Sequence, residues 1–124
     1  HVIRNELSLN RIREYIIKAD IGLGIFGSTD KAKRVIPFKL YELLAMKKPV
    51  ITGDSPPARR SLKDRYDCIL CQMANPQSLA EAILLLKRDE NLRNKIANNG
   101  YELYRAEFCP DRIGRKIIDF LEKV

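Results

Sequence analysis

The stretch IPFKLYELLAMKKPVI, residues 36–51, decides the fold that we predict for this chain. Pro37 suits the first turn of a helix, and three leucines follow it at helical spacing, so residues 37–46 are predicted as a helix with one apolar side. Pro49 ends that pattern and introduces a short apolar run, residues 50–52, which is typical of a buried strand. A helix that leads directly into a buried strand is characteristic of α/β folds.

The same alternation extends in both directions from that stretch. Two more buried strands are predicted, at residues 21–26 and 67–72. Capping residues and apolar periodicity predict further helices at about residues 9–19, 57–62, 76–86, 90–107 and 110–121, with N-caps at Ser8, Ser55 and Asn75. Strands that alternate with helices indicate a parallel sheet with crossover helices, and the length suits a single domain, residues 1–124.

The positive charge of the chain is concentrated in one quarter of it. The formal net charge is +7, and residues 31–60 hold eight lysines and arginines against only Glu42 and Asp54. Ligands of open α/β sheets bind beyond the carboxyl ends of the strands, and two of these ends, residues 27–35 and 53–57, lie within or beside the basic segment. The pattern favours an anionic partner, such as a phosphate, a nucleotide, a nucleic acid or a membrane surface. The alternative is a solvated basic face.

The composition excludes several classes of protein. With 45% hydrophobic and 31% charged residues, the chain is typical of a globular domain and not of a disordered or collagen-like segment. No apolar run approaches the roughly 20 residues of a membrane span, and no charged-then-apolar leader is present, so we expect no targeting segment. The cysteines, at 68, 71 and 109, are odd in number, which favours a reducing compartment over a disulfide framework.

Two short motifs are more consistent with packing than with chemistry. Cys68 and Cys71 form a C-x-x-C pair, but residues three apart on a strand point to opposite faces, so we expect no redox centre. His1 is the only histidine, and we therefore expect no zinc site either. The segment GLGIFG, residues 22–27, matches the dinucleotide fingerprint, yet no strand precedes it and no helix opens at its last glycine. We therefore predict that these glycines allow close packing of the strand itself.

The predicted helix 37–46 begins at the edge of the sheet where ligands bind. Its free N–H groups and its dipole suit a phosphate group. The positive charge of Lys39, in the first turn, interacts unfavourably with that dipole unless an anion binds there. Glu42 lies one turn further, where a carboxylate can accept hydrogen bonds from two ribose hydroxyls. On the residues alone, a solvated Lys39 and a solvent-facing Glu42 remain open as alternatives.

Several segments follow one another in a distinctive order along almost the whole chain. They are ADIGL at 19–23, Lys39, Glu42, AMKKPVI at 45–51, and NPQSLAEAI at 75–83 with the closing helices. Together they resemble the C-terminal, donor-nucleotide-binding domain of retaining GT-B glycosyltransferases (glycosyl transferases group 1). The resemblance implies a Rossmann-like parallel sheet flanked by helices. It implies an incomplete half of a GT-B fold, because further strands and the N-terminal acceptor domain are missing from this chain.

The resemblance also implies an activity for the intact enzyme. That enzyme would transfer a sugar from a nucleotide-diphosphate donor to a glycan or lipid-linked acceptor, as in polysaccharide biosynthesis, with no metal or other cofactor, and the isolated chain would be inactive. It implies a cytoplasmic protein whose parent enzyme lies at the inner face of a membrane, although we expect no amphipathic basic helix in this chain. The alternative function is a non-catalytic α/β module that binds a nucleotide or another anion.

We expect no nucleic-acid partner. Phe26, Phe38 and Tyr41 are the only aromatic residues in or near the basic segment, and Phe38 and Tyr41 are candidates for the core. Proteins that bind single strands interleave exposed aromatic rings with basic side chains, which this segment does not do.

The resemblance assigns roles to individual residues. Glu42 matches the glutamate that holds the nucleotide ribose. Asp54 and Ser55, at the next strand end, would line the same cleft, with turn capping as their alternative role. The donor phosphates and sugar would be bound at Gly27, Ser28, Arg34, Phe38 and Lys39.

This chain departs from the family pattern at three positions. Arg34 stands where the family has the glutamate that contacts the donor sugar, and this departure bears most on the predicted sugar contact. Phe38 stands where relatives often carry a small polar residue. Lys47 stands where a glycine usually ends the helix, at a position that favours the left-handed conformation.

Overall fold

The computed structural model describes residues 4–124 of the chain. Three parallel strands form one sheet in the order β1 (Gly22–Leu23), β2 (Val50–Gly53) and β3 (Ile69–Cys71). In the register of this sheet, Gly22 pairs with Val50 and Ile51 pairs with Ile69. The predicted parallel α/β fold is therefore confirmed, with the central strand β2 formed by the residues that follow Pro49.

Helices surround this sheet on both faces. Their bounds are α1 (Leu9–Lys18), α2 (Phe38–Ala45), α3 (Pro56–Ser61), α4 (Pro76–Arg88), α5 (Glu90–Leu103) and α6 (Pro110–Glu122). The three predicted N-caps are confirmed, because the side chains of Ser8, Ser55 and Asn75 accept backbone N–H groups at 3.4, 3.3 and 3.1 Å. Each cap satisfies an amide that has no partner within its own helix.

The first strand is much shorter than predicted. Residues 21–26 were expected to form it, but β1 contains only Gly22 and Leu23. The Gly24 amide still donates to the Ile51 carbonyl at 2.8 Å, whereas the Ile25 amide donates to the Thr52 hydroxyl at 3.3 Å. The regular ladder ends there because the Gly53 amide donates to the Ile25 carbonyl, at 3.0 Å, and not to the Gly24 carbonyl that the parallel register requires.

The predicted helix 90–107 is divided in two. α5 ends at Leu103, and a π-helical segment, Tyr104–Phe108, continues the chain. The Cys109 amide donates to the Tyr104 carbonyl, five residues earlier, at 2.9 Å. The wider turn places the Phe108 ring edge-on against Tyr41, with the ring centroids 5.0 Å apart.

The core consists of two clusters of buried side chains. One contains Leu40, Leu43, Leu44, Val50, Ala58, Leu62 and Cys68. The other contains Ile51, Ile69, Cys71, Ala82, Leu86 and Ile96. Val50 and Ile51, which are neighbours on β2, belong to different clusters, because successive side chains of a strand point to opposite faces of the sheet. The prediction that Cys68 and Cys71 point to opposite faces is confirmed, and both thiols are buried.

The end of α2 has the backbone conformation that the sequence predicts. Lys47 follows the helix with φ of +58°, in the left-handed region. Its ammonium lies 5.5 Å from the centroid of the Tyr101 ring, which gives the side chain a cation–π contact. A lysine therefore occupies a position that glycine usually fills.

A buried carboxyl group makes the fold sensitive to pH. Asp67 is only 4% exposed, and burial raises the pKa of its carboxyl above the ordinary 3.8, although the Lys63 amide donates to it at 2.8 Å. Because the folded state then binds the proton more tightly than the unfolded state, the stabilising contribution of Asp67 is greatest below pH 3.8. We expect the free energy of unfolding, relative to Asp67→Asn, to fall as pH rises from there towards the raised folded-state pKa.

Urea denaturation of both proteins across this pH range measures the difference. Glu107→Gln is the control, for which the pH dependence has the opposite sign. The hydrogen bond with Lys116 lowers the pKa of the Glu107 carboxyl below 4.5, so the contribution of Glu107 to stability is lost as pH falls. Parallel pH profiles for the wild type and Asp67→Asn would contradict the prediction.

Candidate functional site

The start of α2 is the centre of the candidate site. Pro37 occupies the N-cap position, and no side chain of residues 4–124 caps this helix. The Leu40 amide donates to the Pro37 carbonyl at 3.0 Å, so the amides of Phe38 and Lys39 are the ones that remain available to an external acceptor, at the positive end of the helix dipole. Leu40 is 1% exposed and fixes this end of the helix against the core.

Two of the predicted donor-binding residues lie in this first turn. Phe38 is 76% exposed, so it does not belong to the core, for which the sequence had left it a candidate. Lys39 is also exposed and carries its positive charge beside the uncapped amides. The Phe38 ring lines both of the grooves that lie beside Glu42.

Glu42 lies one turn further along α2 and is half-buried. Its side chain lines two grooves, one on each side of the ridge that Phe38, Glu42 and Ala45 form along α2. The groove shared with α1, of about 400 Å³, is lined by Leu9, Ile12, Arg13, Ile16, Phe38, Glu42, Ala45 and Met46. The groove on the other side, of about 470 Å³, is lined by Phe38, Tyr41, Glu42, Ala45, Tyr104, Phe108, Pro110 and Ile113. Glu42 is the one carboxylate in either lining, in surroundings that are otherwise mostly apolar.

The loop that follows β1 carries the other predicted phosphate contacts. Gly27 and Ser28 are exposed at the carboxyl end of the strand. Further along, the Thr29 hydroxyl accepts the amide of Ala32, which is buried and anchors the loop. Arg34 donates from Nε to the Asp30 carbonyl at 3.2 Å, and its guanidinium is exposed. The loop therefore presents its basic side chains to solvent on a tethered backbone.

Asp54 and Ser55 are engaged in local structure. The Asp54 carboxylate forms a two-pronged ion pair with Arg59, and this pairing raises the pKa of Arg59. The Ser55 hydroxyl is buried and caps α3 at Ala58. The geometry favours local structural roles for these two residues, an ion pair for Asp54 and a helix cap for Ser55, over direct contact with a ligand.

The structure adds residues that the sequence analysis missed. Arg13 of α1 and Tyr104, Phe108 and Ile113 of the C-terminal segments line the grooves beside Glu42. They come from parts of the chain far from residue 42, and the periodicity of a helix does not show which neighbour it packs beside.

Neither a cluster of metal ligands nor a membrane-spanning helix is present among residues 4–124. Within residues 4–124, no three His, Cys, Asp or Glu side chains converge as metal ligands would, and His1 lies outside this range. None of the helices described for residues 4–124 is long and apolar enough to cross a bilayer.

The sequence of residues 8–103 matches the model of one protein family, described as glycosyl transferases group 1. No curated protein is significantly similar to the chain in sequence. The family match runs from α1 to the end of α5 and includes the start of α2 with Lys39 and Glu42, whereas the groove residues of the π-helical segment and α6 lie beyond it.

Solved structures share the fold. Sucrose-phosphate synthase from Thermosynechococcus elongatus aligns with a TM-score of 0.79 and 16% identity, over 97% of this chain and 29% of its own. HepE from Anabaena, in complex with UDP and glucose, aligns with a TM-score of 0.76 and 19% identity, over 91% of this chain and 30% of its own. The C-terminal domain of the group 1 protein LpcC from Francisella tularensis aligns with a TM-score of 0.67 and 24% identity, over 87% and 53%. The chain thus spans about a third to a half of these proteins.

Proposed function

The chain belongs to the glycosyl transferases group 1 family, and on that premise we propose that it forms part of the donor site of a glycosyltransferase. The intact enzyme would bind a nucleotide-diphosphate sugar and transfer the sugar to a glycan or lipid-linked acceptor in polysaccharide biosynthesis. The observation that carries the proposal is the position of Glu42, one turn inside the uncapped, basic-flanked N-terminus of α2.

The diphosphate of the donor would lie at the start of α2. The free amides of Phe38 and Lys39 and the helix dipole stabilise negative charge there, and the Lys39 side chain supplies a full positive charge beside them. Backbone groups at Gly27 and Ser28 and the guanidinium of Arg34 would complete the contacts from the preceding loop. Charge develops on the leaving diphosphate as the bond to the sugar breaks, so these fixed donors lower the barrier. The proposal assigns this stabilisation to the protein's own groups and not to a metal ion.

The ribose of the donor would bind at Glu42. A half-buried carboxylate surrounded by apolar side chains attracts hydroxyl donors more strongly than a fully solvated one, because less water competes for it. Two hydroxyls on adjacent ribose carbons match its two oxygens. HepE was solved in complexes with UDP, with UDP-glucose, and with UDP and glucose, which supports UDP as the first nucleotide to test.

The acceptor would be held by another part of the enzyme. The chain spans 29% to 53% of the three solved relatives, and a transfer reaction needs an acceptor site opposite the donor. We propose that an N-terminal acceptor domain supplies that site, in a cytoplasmic enzyme at the inner face of a membrane, and that the isolated chain gives no turnover.

The test is the affinity for UDP of the wild type and of Glu42→Gln. Hydrogen bonds to a charged group contribute about 1.5–3 kcal/mol, so we expect Glu42→Gln to bind UDP at least about tenfold more weakly by titration calorimetry. Glu81→Gln is the matched control, since this exposed glutamate of α4 lies outside both grooves, and its affinity should equal that of the wild type. Equal loss in both variants, or none in Glu42→Gln, would refute the role of Glu42.

A second function is favoured by one residue. Arg34 replaces the acidic residue that the family uses to contact the donor sugar, which suits a non-catalytic module that binds a nucleotide without transferring sugar. Arg34→Glu distinguishes the two functions. A glycosyltransferase should gain affinity for a UDP-sugar relative to UDP, whereas a nucleotide-binding module should lose affinity for both ligands.

A further inference from the structure

The segment that enters α2 passes the end of the helix where the donor diphosphate is proposed to bind. Val35, Ile36 and Pro37, the last three residues before the helix, carry no polar side chain. Arg34 therefore supplies the first polar side chain that precedes α2. Its Cα lies at most about 14 Å from that of Phe38, since an extended chain spans about 3.5 Å per residue.

The backbone around Arg34 is held in a hydrogen-bonded turn. The Lys33 amide donates to the Thr29 carbonyl at 3.2 Å. The Arg34 amide donates to the Lys31 carbonyl at 3.1 Å. Ala32, in the middle of the turn, is only 4% exposed and anchors it against the core. The Arg34 side chain therefore extends from a fixed base, which reduces the conformational entropy that is lost when it binds a ligand.

The guanidinium of Arg34 is only partly engaged within the chain. Its Nε donates to the Asp30 carbonyl, on the backbone of the same turn. Among residues 4–124, no group accepts a hydrogen bond from its Nη1 or Nη2, and no carboxylate forms an ion pair with it. Arg59, in contrast, donates from both Nε and Nη2 to the Asp54 carboxylate. The two Nη groups of Arg34 therefore remain available to a ligand.

The loop and the helix start around Arg34 carry an excess of positive charge. Residues 27–39 contain one acidic residue, Asp30, and four basic residues, which are Lys31, Lys33, Arg34 and Lys39. The uncapped amides of α2, the helix dipole and the Lys39 ammonium are already assigned to the diphosphate. Arg34 is a further cation at the same edge, and a second anionic group on the ligand would complement it.

The order of groups in the donor determines which of them lies nearest Arg34. In a nucleotide-diphosphate sugar, the diphosphate stands between the ribose and the sugar. With the ribose at Glu42 and the diphosphate at the amides of Phe38 and Lys39, the sugar would lie beyond the end of α2. Residues 34–37 enter the helix at that end, so the sugar is the part of the donor that the free Nη groups of Arg34 would contact.

We propose that Arg34 determines the specificity of the site for a donor whose sugar carries a carboxylate, a nucleotide-diphosphate hexuronic acid. A guanidinium has N–H donors and no acceptor, whereas a sugar hydroxyl both donates and accepts. A carboxylate only accepts, and its two oxygens match the two Nη groups in a charge-assisted, bidentate contact. The family glutamate that Arg34 replaces would repel the same sugar. This inference rests on the proposed function, since it names the class of sugar that the same site binds.

Titration calorimetry of the full chain with UDP, UDP-glucose and UDP-glucuronic acid tests the proposal. The two UDP-sugars differ only in whether the last carbon of the sugar is an alcohol or a carboxylate. The wild type should bind UDP-glucuronic acid at least about tenfold more tightly than UDP-glucose, and this ratio should fall as salt is added. Arg34→Gln should bring the ratio close to unity, and Arg34→Glu should invert it. Arg34→Lys keeps the charge but not the planar fork, so its ratio should be intermediate.

Lys33→Gln is the matched control, because Lys33 is exposed and carries the same charge on the same turn. It should change the ratio of the two affinities much less than Arg34→Gln does. An equal change in both variants would assign the preference to the net charge of the loop and overturn the role of Arg34. The same conclusion would follow if Arg34→Gln weakened the binding of UDP and of both UDP-sugars by one common factor, because Arg34 would then contact only the diphosphate.

The binding of UDP itself separates this test from that of the proposed function. Equal affinities of the wild type for UDP-glucose and UDP-glucuronic acid, in a protein that binds UDP, would overturn the inference and leave the proposed function intact. A folded protein that binds none of the three ligands would refute the proposed function, and the inference with it. Because Arg34 is exposed, the circular dichroism of its variants should match that of the wild type.

Discussion

Gly24→Ala should destabilise the protein by roughly 3 kcal/mol in urea denaturation, since a Cβ at this position has no room. It would lie 2.2 Å from Oγ1 and 2.6 Å from Cβ of Thr52 on the neighbouring strand. Thr52 is only 2% exposed and its hydroxyl accepts the Ile25 amide, so it cannot rotate away without losing that hydrogen bond. The two strands would have to separate, at the point where β1 leads into the basic loop of the site.

Gly27→Ala is the matched control for this prediction. A Cβ there meets only the Ala32 side chain, at 3.7 Å, and no glycine of residues 4–124 has a positive φ. The substitution should be neutral or stabilise slightly, because alanine lowers the entropy of the unfolded chain. Equal urea midpoints for Gly24→Ala and Gly27→Ala would contradict the prediction that the close approach at Gly24 leaves no room for a Cβ.

Leu44→Ala should cost about 2–5 kcal/mol, the range for removing a fully buried leucine. Leu44 has no exposed surface, and a Cβ on Gly100 would lie 2.8 Å from its Cδ2, which shows how tightly α2 and α5 meet there. The cavity would remain largely empty because glycine offers no side chain to fill it. As α2 carries Phe38, Lys39 and Glu42, its loosening should also weaken binding of UDP.

The exposed Leu84 provides the comparison for Leu44. This residue of α4 is 42% exposed, so Leu84→Ala should change the free energy of unfolding by less than about 1 kcal/mol. Similar losses in the two variants would show that α2 is not anchored through Leu44. Urea denaturation followed by circular dichroism measures both variants under the same conditions.

The parts of the fold that depend on local chemistry could be predicted from the sequence. Ser8, Ser55 and Asn75 were recognisable as caps because their short polar side chains satisfy amides within three residues. The opposite faces of Cys68 and Cys71 follow from the period of a strand. The end of β1 could not be predicted, because it depends on which carbonyl of this segment accepts the amide of Gly53, a residue of another strand.

The site was predictable to a similar extent. Lys39 and Glu42 could be placed in the first two turns of a predicted helix, and α2 begins at Phe38 accordingly, whereas their roles in binding stay a prediction. The grooves beside Glu42 depend on how α1 and the π-helical segment pack along α2, and no local pattern encodes that packing. The exposure of Phe38 and of α6 was not predictable, because apolar periodicity does not indicate whether an apolar side is covered.

The most direct test of the donor site is to map UDP on the ¹⁵N-labelled chain by NMR chemical-shift perturbation at moderate salt. We expect UDP to shift amide resonances of residues 27–42, centred on Phe38 and Lys39, and we expect Glu42→Gln to reduce these shifts at the same UDP concentration. GDP and ADP, titrated in parallel, rank the preference for the base. Perturbations confined to other regions, such as the corner between α4 and α5, or none at any of the three nucleotides in a folded protein, would contradict the assignment of this edge as the donor site.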